Sequence, residues 1–407
     1  MNTEALRTVA ATYGTPTYIF DVREVEARIR LLRSLLPEDT GLCFAVKANP
    51  FLIPYVADLV DRLEVCSPGE YEICIQEQIA PEKIVVSGVN KTYESMKRIL
   101  SYSKGAGIYT IESEEHAKIL RTLAEKNQMP LSVLIRLSSG NQFGVDAETF
   151  LRLAKEIQES PYLTLAGVHY YAGTQKRQSK LEKELDTLTA FAKTFEEETG
   201  TVLNELEYGA GMKVSYFIND SEKDQRESEP EPQIQALAEK LRTCAYGKKT
   251  IELGRFLVSM SGYYLTRVMD VKRTAQPGFL ILDGGIHQIN YYGWMMGMKQ
   301  PEIEVLAEKD GDEELFHLCG SLCTVNDVLA RDVALHDPQK GDVICFKRCG
   351  AYAATEGMAM FLSRELPQVL ICKTDGKIEK LRDQMETYLF HVSATTPVSY
   401  THLTLPT

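Results

Sequence analysis

The chain has 407 residues, of which 44% are hydrophobic and 25% are charged, a composition typical of globular proteins and unlike that of disordered ones. Its formal net charge of -12 disfavours non-specific binding to nucleic acid or to anionic lipid. No stretch approaches the roughly 20 apolar residues of a membrane span, and the first residues lack an apolar signal core, so we expect a cytoplasmic protein.

Short β-branched or aromatic runs alternate with amphipathic stretches, such as 51–63 and 147–159, between residues 41 and 260. Strands separated by helices form parallel sheet, and eight such units close a barrel. We therefore predict an α/β fold with a (β/α)8 barrel over residues 24–260. No G-x-G-x-x-G follows the first run, which disfavours an open doubly wound sheet. The eight runs cover residues 44–48, 63–67, 84–88, 108–113, 133–138, 166–173, 205–211 and 250–258.

The pattern changes after residue 262, where apolar runs lie close together with turn signals such as DGG, PQKGD and TDGK between them. This spacing predicts a C-terminal antiparallel β domain. We assign it residues 1–23 and 261–390, although the run at 15–22 could also lead into the barrel. The polar residues 220–233 are expected to form a loop, and residues 393–407 receive no function.

Polar side chains and glycines cluster at the predicted strand ends. In a βα barrel, active-site groups project from the C-terminal ends of the strands. Taken singly each residue is a weak signal, because exposed charges usually lie in solvated surface pairs. The set comprises Lys47, Glu64, Ser67, Arg136, His169, Tyr171, Gly209, Gly211, Glu252 and Arg255.

Nine motifs occur in an order that resembles a known family, across roughly residues 10–375. They are AVKAN, EVCSPGE, QFG, GVHYYAGTQ, GAG, ELGR, DGG, LCTVNDVL and GAY. In this order they are similar to the fold-type III pyridoxal phosphate decarboxylases, which include the diaminopimelate, ornithine and arginine decarboxylases and are related to alanine racemase. The resemblance implies a pyridoxal 5'-phosphate cofactor and decarboxylation of an L-amino acid.

The resemblance also implies a role for each strand-end residue. Lys47 would hold the cofactor as a Schiff base, which requires a neutral amine, and an apolar strand end favours that form. Glu252 would keep the pyridine nitrogen protonated so that the ring accepts electrons. The phosphate would lie on the turn from Gly209 to Gly211. The other expected cofactor contacts are Glu64, Arg136, His169, Tyr171, Thr174, Gly254, Arg255 and Tyr352.

Cys323 is the second reactive candidate. In the family the matching cysteine comes from the partner subunit and protonates the α-carbon, so the resemblance implies a homodimer with shared active sites. Asp327, Thr324 and Tyr352 are expected at the same site, on the substrate side. The alternative for Cys323 is a small buried hydrophobic residue.

Two departures from the family pattern concern the substrate. Tyr171 stands where family members usually have a histidine on the cofactor ring, and a phenol can still cover that face. Thr324 replaces an acidic residue that receives the distal ammonium of the substrate, and a hydroxyl cannot neutralise that charge. Both point to the branch that acts on carrier-protein-tethered amino acids. The stretch Trp294 to Met298 could line a wider mouth for such a substrate, or fill a core or an interface.

Other functions remain open at this point. An amino acid racemase on the same scaffold is disfavoured because related racemases place an arginine, not a carboxylate such as Glu252, near the pyridine nitrogen. A non-enzymatic cofactor-binding protein is disfavoured by the β domain. The nine scattered cysteines are typical of reduced thiols. His317, Cys319 and Cys323 lack the spacing of a zinc site, so no metal is expected.

Overall fold

The computed structural model describes residues 1–274, 276–291 and 296–393. The chain divides into two compact units. One unit, the barrel unit, contains Val22–Tyr216 and Asp220–Ser261, and the other, the β unit, contains Met1–Asp21, 217–219 and the chain from Gly262 onward. Within the described ranges, no helix combines the length and the apolar character needed to cross a bilayer.

The barrel unit contains a closed barrel of eight parallel strands, and β9 pairs with β2 to close it. Most positions of these strands are buried, as expected when both faces of a parallel sheet are covered. The predicted barrel is therefore confirmed, with each apolar run contributing one strand. The strands are β2 (Thr40–Ala45), β3 (Arg62–Val65), β4 (Ile84–Val86), β5 (Ile108–Ile111), β6 (Leu131–Arg136), β7 (Leu163–Tyr171), β8 (Glu205–Gly209) and β9 (Lys248–Leu253).

Helices connect these strands, and several begin at side chains that cap them. Ser67, Thr92 and Asp146 each accept a hydrogen bond from a backbone N–H in the first turn of the following helix, which satisfies a donor that the helix itself leaves unpaired. The helices are α2 (Val22–Leu35), α3 (Ile53–Val56), α4 (Pro68–Gln76), α5 (Tyr93–Ser103), α6 (Glu114–Asn127), α7 (Ala147–Gln158), α8 (Gln178–Thr199), α9 (Glu222–Glu227), α10 (Pro230–Thr243) and α11 (Arg255–Val258).

Two local predictions in the barrel unit were wrong. The segment 51–63 is not one helix: it contains the end of a 3-10 turn over Pro50–Leu52, the short α3 and, from Arg62, the start of β3. Pro54 lies in the first turn of α3, so α3 cannot extend further upstream. The polar residues 220–233 form α9 and the start of α10 rather than a loop. Ser221 caps α9, and Pro230 occupies the first turn of α10, a position that suits proline because its missing N–H is not needed there.

The β unit contains nine strands of the described chain in one sheet, seven of them in the order β14-β13-β11-β10-β1-β16-β17, while β15 pairs with β10 and β12. Most pairs are antiparallel as predicted, but β1 with β16 and β11 with β13 are parallel. Helix α1 (Thr3–Tyr13) packs its Leu6 and Val9 in the same apolar cluster as Ile19 of β1. The strands are β1 (Thr17–Asp21), β10 (Gly262–Lys272), β11 (Gly278–Leu282), β12 (Ile303–Val305), β13 (Glu313–Cys319), β14 (Val328–His336), β15 (Val343–Lys347), β16 (Gln368–Cys372) and β17 (Ile378–Arg382).

Candidate active site

Lys47 lies between two buried carboxylates. It follows β2 in a 3-10 turn over Val46–Ala48, and not at the tip of the strand as predicted. Its Nζ contacts Glu64 of β3 and lies 3.3 Å from Oε1 of Glu252 in β9. Strand β2 pairs with both β3 and β9, so the barrel itself brings these three side chains together. The surroundings of Lys47 are therefore acidic, and not the apolar strand end that was predicted.

Glu252 also receives a hydrogen bond from His169. Nε2 of His169, on β7, lies 3.1 Å from Oε2 of Glu252. Burial opposes ionisation of Glu252, but the Lys47 ammonium and the His169 hydrogen bond outweigh it and hold the pKa of this carboxyl well below its ordinary range. Nδ1 of His169 has no hydrogen-bond partner among the described residues. Glu252 is therefore an ionised carboxylate inside the barrel.

Cys66 is a neighbour of Lys47 to which the sequence analysis gave no role. Its Sγ lies 3.5 Å from Nζ of Lys47 and donates a hydrogen bond to Oε1 of Glu64 at 3.0 Å. Burial and the Glu64 carboxylate raise the pKa of the thiol, so Cys66 is a neutral donor. Its backbone N–H donates to Glu70 at 2.6 Å. The signal was present in the EVCSPGE motif, where Cys66 directly follows the strand that carries Glu64.

Arg136 occupies the end of β6, within a buried network. It donates to Oε2 of Glu112 at 2.8 Å, and Lys91 lies 3.8 Å from the other oxygen of Glu112. The guanidinium lies over the rings of Phe143 and Tyr171, at 4.9 and 5.9 Å from their centroids. Burial lowers the pKa of Lys91 to about 8, although Glu112 opposes this shift. Arg136 thus supports one side of the Tyr171 ring.

The turn from Gly209 to Gly211 begins at the last residue of β8 and is closely surrounded. A Cβ on Gly209 would come 2.5 Å from Cδ2 of Tyr171, and a Cβ on Gly211 would clash with the carbonyl oxygen of Gly173. Gly211 has φ +57°, which L-residues with side chains rarely adopt. With two glycines and only the methyl group of Ala210, the backbone of this turn has the small bulk that close approach of an anion requires.

The remaining barrel candidates lie in loops after β7 and β9. Arg255 begins α11 directly after Gly254 and donates to the hydroxyl of Tyr216 at 2.9 Å. Its guanidinium also lies 5.4 Å from the centroid of the Tyr216 ring. Thr174 is exposed in the loop that follows β7. Both positions follow the C-terminal ends of barrel strands, as the sequence predicted, and the loop after β9 leaves a strand that pairs with β2.

Four candidates belong to the β unit. Cys323 is exposed, and Thr324 accepts a hydrogen bond from the backbone of Asn326 at 3.3 Å. Asp327 is buried and accepts from the backbone N–H groups of Ile286 and Leu322, at 2.8 and 2.7 Å. Tyr352 has φ +65°.

The Met-rich stretch is only partly described. Trp294 and Met295 lie outside the described residues. Met298 is 67% exposed, which does not fit the core-filling alternative within the described chain.

A second polar layer lies in the strands beside the site. Arg62 of β3 contacts Glu205 and lies 2.9 Å from Oε2 of Glu207, both on β8. Glu207 is opposite His169 in the strand register, and its Oε1 has no partner among the described residues. Burial raises the pKa of Glu207 to about 7, against the effect of Arg62.

The arrangement fits pyridoxal phosphate. Lys47 supplies an amine for the aldehyde, and Glu252 is an ionised carboxylate that can hold a protonated ring nitrogen. The glycine turn gives the close backbone approach that a phosphate requires. Tyr171 offers an aromatic face beside Gly209. We find no residue in the set whose chemistry conflicts with the cofactor.

Comparison with known proteins finds relatives that match most of the chain. Residues 22–259 match the family model for the pyridoxal binding domain of pyridoxal-dependent decarboxylases. The chain is 29% identical to diaminopimelate decarboxylase of Pseudomonas aeruginosa, over 86% of this chain and 85% of that protein. It is 26% identical to the L-glutamyl-[BtrI acyl-carrier protein] decarboxylase of Niallia circulans, over 94% of each chain. The crystal structure of diaminopimelate decarboxylase from M. jannaschii with L-lysine superposes with a TM-score of 0.85 at 21% identity, covering 96% of this chain and 94% of that one.

Proposed function

The chain belongs to the pyridoxal-dependent decarboxylase family, and from this membership we propose that it removes carbon dioxide from an L-amino acid. The observation that carries the proposal is the position of Lys47 between Glu64 and Glu252 at the strand ends of the barrel. This set combines an amine, an ionised carboxylate and a supporting histidine. Within a βα barrel, that edge is where active sites are built.

Each residue has a distinct task in the proposed reaction. When bound, the pyridoxal ring accepts the electron pair that departing carbon dioxide leaves on the α-carbon. Lys47 would hold the cofactor through Nζ. Glu252 would hold a proton at the ring nitrogen, while His169 orients that carboxylate and favours its ionised form through the Nε2 hydrogen bond. Tyr171, supported by Arg136, would exclude water from one face of the ring.

Cofactor attachment gives the direct test of the Lys47 assignment. The purified protein should show a visible imine absorbance band, and borohydride reduction should fix the cofactor to Lys47. The Lys47→Ala variant should lose both signals. A reduced adduct at another lysine would contradict the assignment.

The reaction class is tested by the product. Carbon dioxide release from at least one L-amino acid is expected with the wild-type protein. Formation of a D-amino acid without carbon dioxide would instead support a racemase, the alternative that Glu252 disfavours.

We further propose that Cys323 acts in the active site of a second copy of the chain, where its thiol would protonate the α-carbon. Its exposure on the β unit supports this role. The Lys47→Ala and Cys323→Ala variants should each be inactive, but their mixture should regain up to about a quarter of wild-type activity, since half of the dimers would contain one intact site. No recovery in a mixture shown to exchange subunits would contradict shared sites.

A second candidate substrate is an amino acid tethered to a carrier protein. Thr324, at the predicted substrate position, carries no charge to neutralise a distal ammonium, and similarity to the carrier-protein decarboxylase extends over 94% of each chain. A panel of free and carrier-bound amino acids separates the two cases. Faster turnover of free diaminopimelate than of any tethered amino acid would exclude the second candidate.

A further inference from the structure

Two loops of the barrel unit are tied together beside the glycine turn. The Gln175 side chain, after β7, accepts from the backbone N–H of Val214 at 2.7 Å and donates to its carbonyl at 2.8 Å. The next residue, Lys176, donates its backbone N–H to the carbonyl of Gly211 at 2.9 Å. These bonds fix the loop after β7 to the loop after β8.

The side chain of Lys176 adds a buried ion pair at the same place. The Lys176 side chain is only 1% exposed. Its ammonium donates to Oε2 of Glu184 at 2.7 Å and to the carbonyl of Gly209 at 2.9 Å. The hydroxyl of Tyr208 donates to the same Glu184 oxygen at 2.7 Å. A buried ion pair adds little net stability compared with apolar residues of the same volume. The stability of the fold therefore does not explain why a lysine occupies this position.

The contacts of Lys176 act on two peptide groups of the turn. In a trans peptide the carbonyl and the following N–H point in opposite directions. Holding the carbonyl of Gly209 therefore fixes the direction of the Ala210 N–H, away from the ammonium. Holding the carbonyl of Gly211 fixes the Met212 N–H in the same way. One residue thus sets two of the N–H directions in a turn whose glycines would otherwise leave it flexible.

We infer that Lys176 is a positioning residue for the phosphate of the cofactor, which holds the Gly209–Gly211 turn in its anion-binding conformation from behind. The inference rests on the pyridoxal phosphate cofactor of the family and not on the reaction or the substrate. Lys176 need not touch the phosphate. Its effect comes through the backbone of the turn. Replacing Lys176 should therefore lower the affinity only for ligands that carry a phosphate.

The test compares two ligands that differ only in that group. Pyridoxal 5'-phosphate and 5'-deoxypyridoxal are titrated, by absorbance, against full-length protein from which the cofactor has been removed. The variant is Lys176→Met combined with Glu184→Gln, which leaves no unpaired charge in the interior. We expect its affinity for pyridoxal phosphate to fall about 10- to 100-fold, the range for losing a hydrogen bond to a charged group. Its affinity for deoxypyridoxal should stay unchanged.

A matched control is available on the neighbouring helix. Lys240 forms an exposed ion pair with Asp186 at 2.8 Å, two residues beyond Glu184 on α8. Lys240→Met should leave both affinities unchanged.

If the double variant lost the same affinity for both ligands, the ion pair would only maintain the fold, and the inference would be overturned. An unchanged affinity for pyridoxal phosphate would also overturn it. Because binding is measured directly, a protein that proved not to be a decarboxylase would leave this result interpretable.

Discussion

Replacing Glu207 by glutamine should remove the loss of folding stability that the barrel unit suffers as the pH rises. Burial raises the pKa of Glu207 from its ordinary value of 4.5 to about 7. A carboxyl whose pKa is higher in the folded state binds its proton more tightly there. The resulting stabilisation is fully present below 4.5 and is lost as pH rises through about 7. Glutamine imitates the protonated form, so the variant should not show this loss.

The magnitude follows from the two pKa values. Their difference of about 2.5, at about 1.4 kcal/mol per pKa unit, corresponds to roughly 3 kcal/mol. For a unit of this size, that energy would move the unfolding midpoint by roughly 6 to 12 °C. Wild type and Glu207→Gln should therefore differ little at pH 5. At pH 8 and above, the variant should unfold at a temperature higher by about this amount.

Thermal unfolding followed by circular dichroism at a fixed scan rate, from pH 5 to pH 9, measures the effect. Glu94→Gln is a suitable control, because this carboxylate on α5 is exposed and solvent screens its charge. In the Glu94→Gln control, the unfolding midpoint should change with pH as it does in the wild type. If the midpoints of wild type and Glu207→Gln differed by the same amount at every pH, the assigned protonation of Glu207 would be wrong.

Three further substitutions test the site. Glu252→Gln should lower kcat about 10-fold or more, because a charge-assisted hydrogen bond is lost. The rate of carbon dioxide release at saturating cofactor measures this effect, and an unchanged kcat would contradict the role of Glu252. Cys66→Ala should lower the rate about fivefold, since Glu64 loses a neutral donor, and Cys66→Ser should recover most of it; a serine variant as slow as the alanine variant would point to packing instead. Gly211→Ala should weaken cofactor affinity more than 10-fold in an absorbance titration, and normal affinity would show that the turn can adjust.

The barrel could be predicted because parallel strands buried on both faces are continuous apolar runs. The run at 108–113 illustrates this, since β5 occupies Ile108–Ile111. The segment 51–63 shows the limit of such patterns. Its apolar spacing is helical, but α3 spans only Ile53–Val56 and β3 begins at Arg62. Pro54 explains why α3 does not extend upstream, whereas the apolar spacing does not mark its end at Val56.

The strand-end residues could be located for a similar reason, since the ends of barrel strands converge on one edge. Most of their partners could not. Cys66 lies two residues from Glu64, so the EVCSPGE motif already contained that pair, but Glu112 and Lys176 meet Arg136 and Gly209 through the particular courses of loops. Sequence spacing does not encode those courses. Pairings between loops of neighbouring strands therefore required the structure.

The pairing of β1 with strands far along the chain affects when the sheet of the β unit can form during synthesis. The neighbours of β1 in the sheet are β10, which begins at Gly262, and β16, which begins at Gln368. During synthesis, residues 17–21 must wait for more than half of the polypeptide before either neighbour leaves the ribosome, whereas all eight barrel strands emerge earlier. Long-range pairing of this kind is slow. A chain that lacked residues 1–21 would have no β1. The edges of β10 and β16 that pair with β1 would then be open, and open strand edges are prone to aggregation.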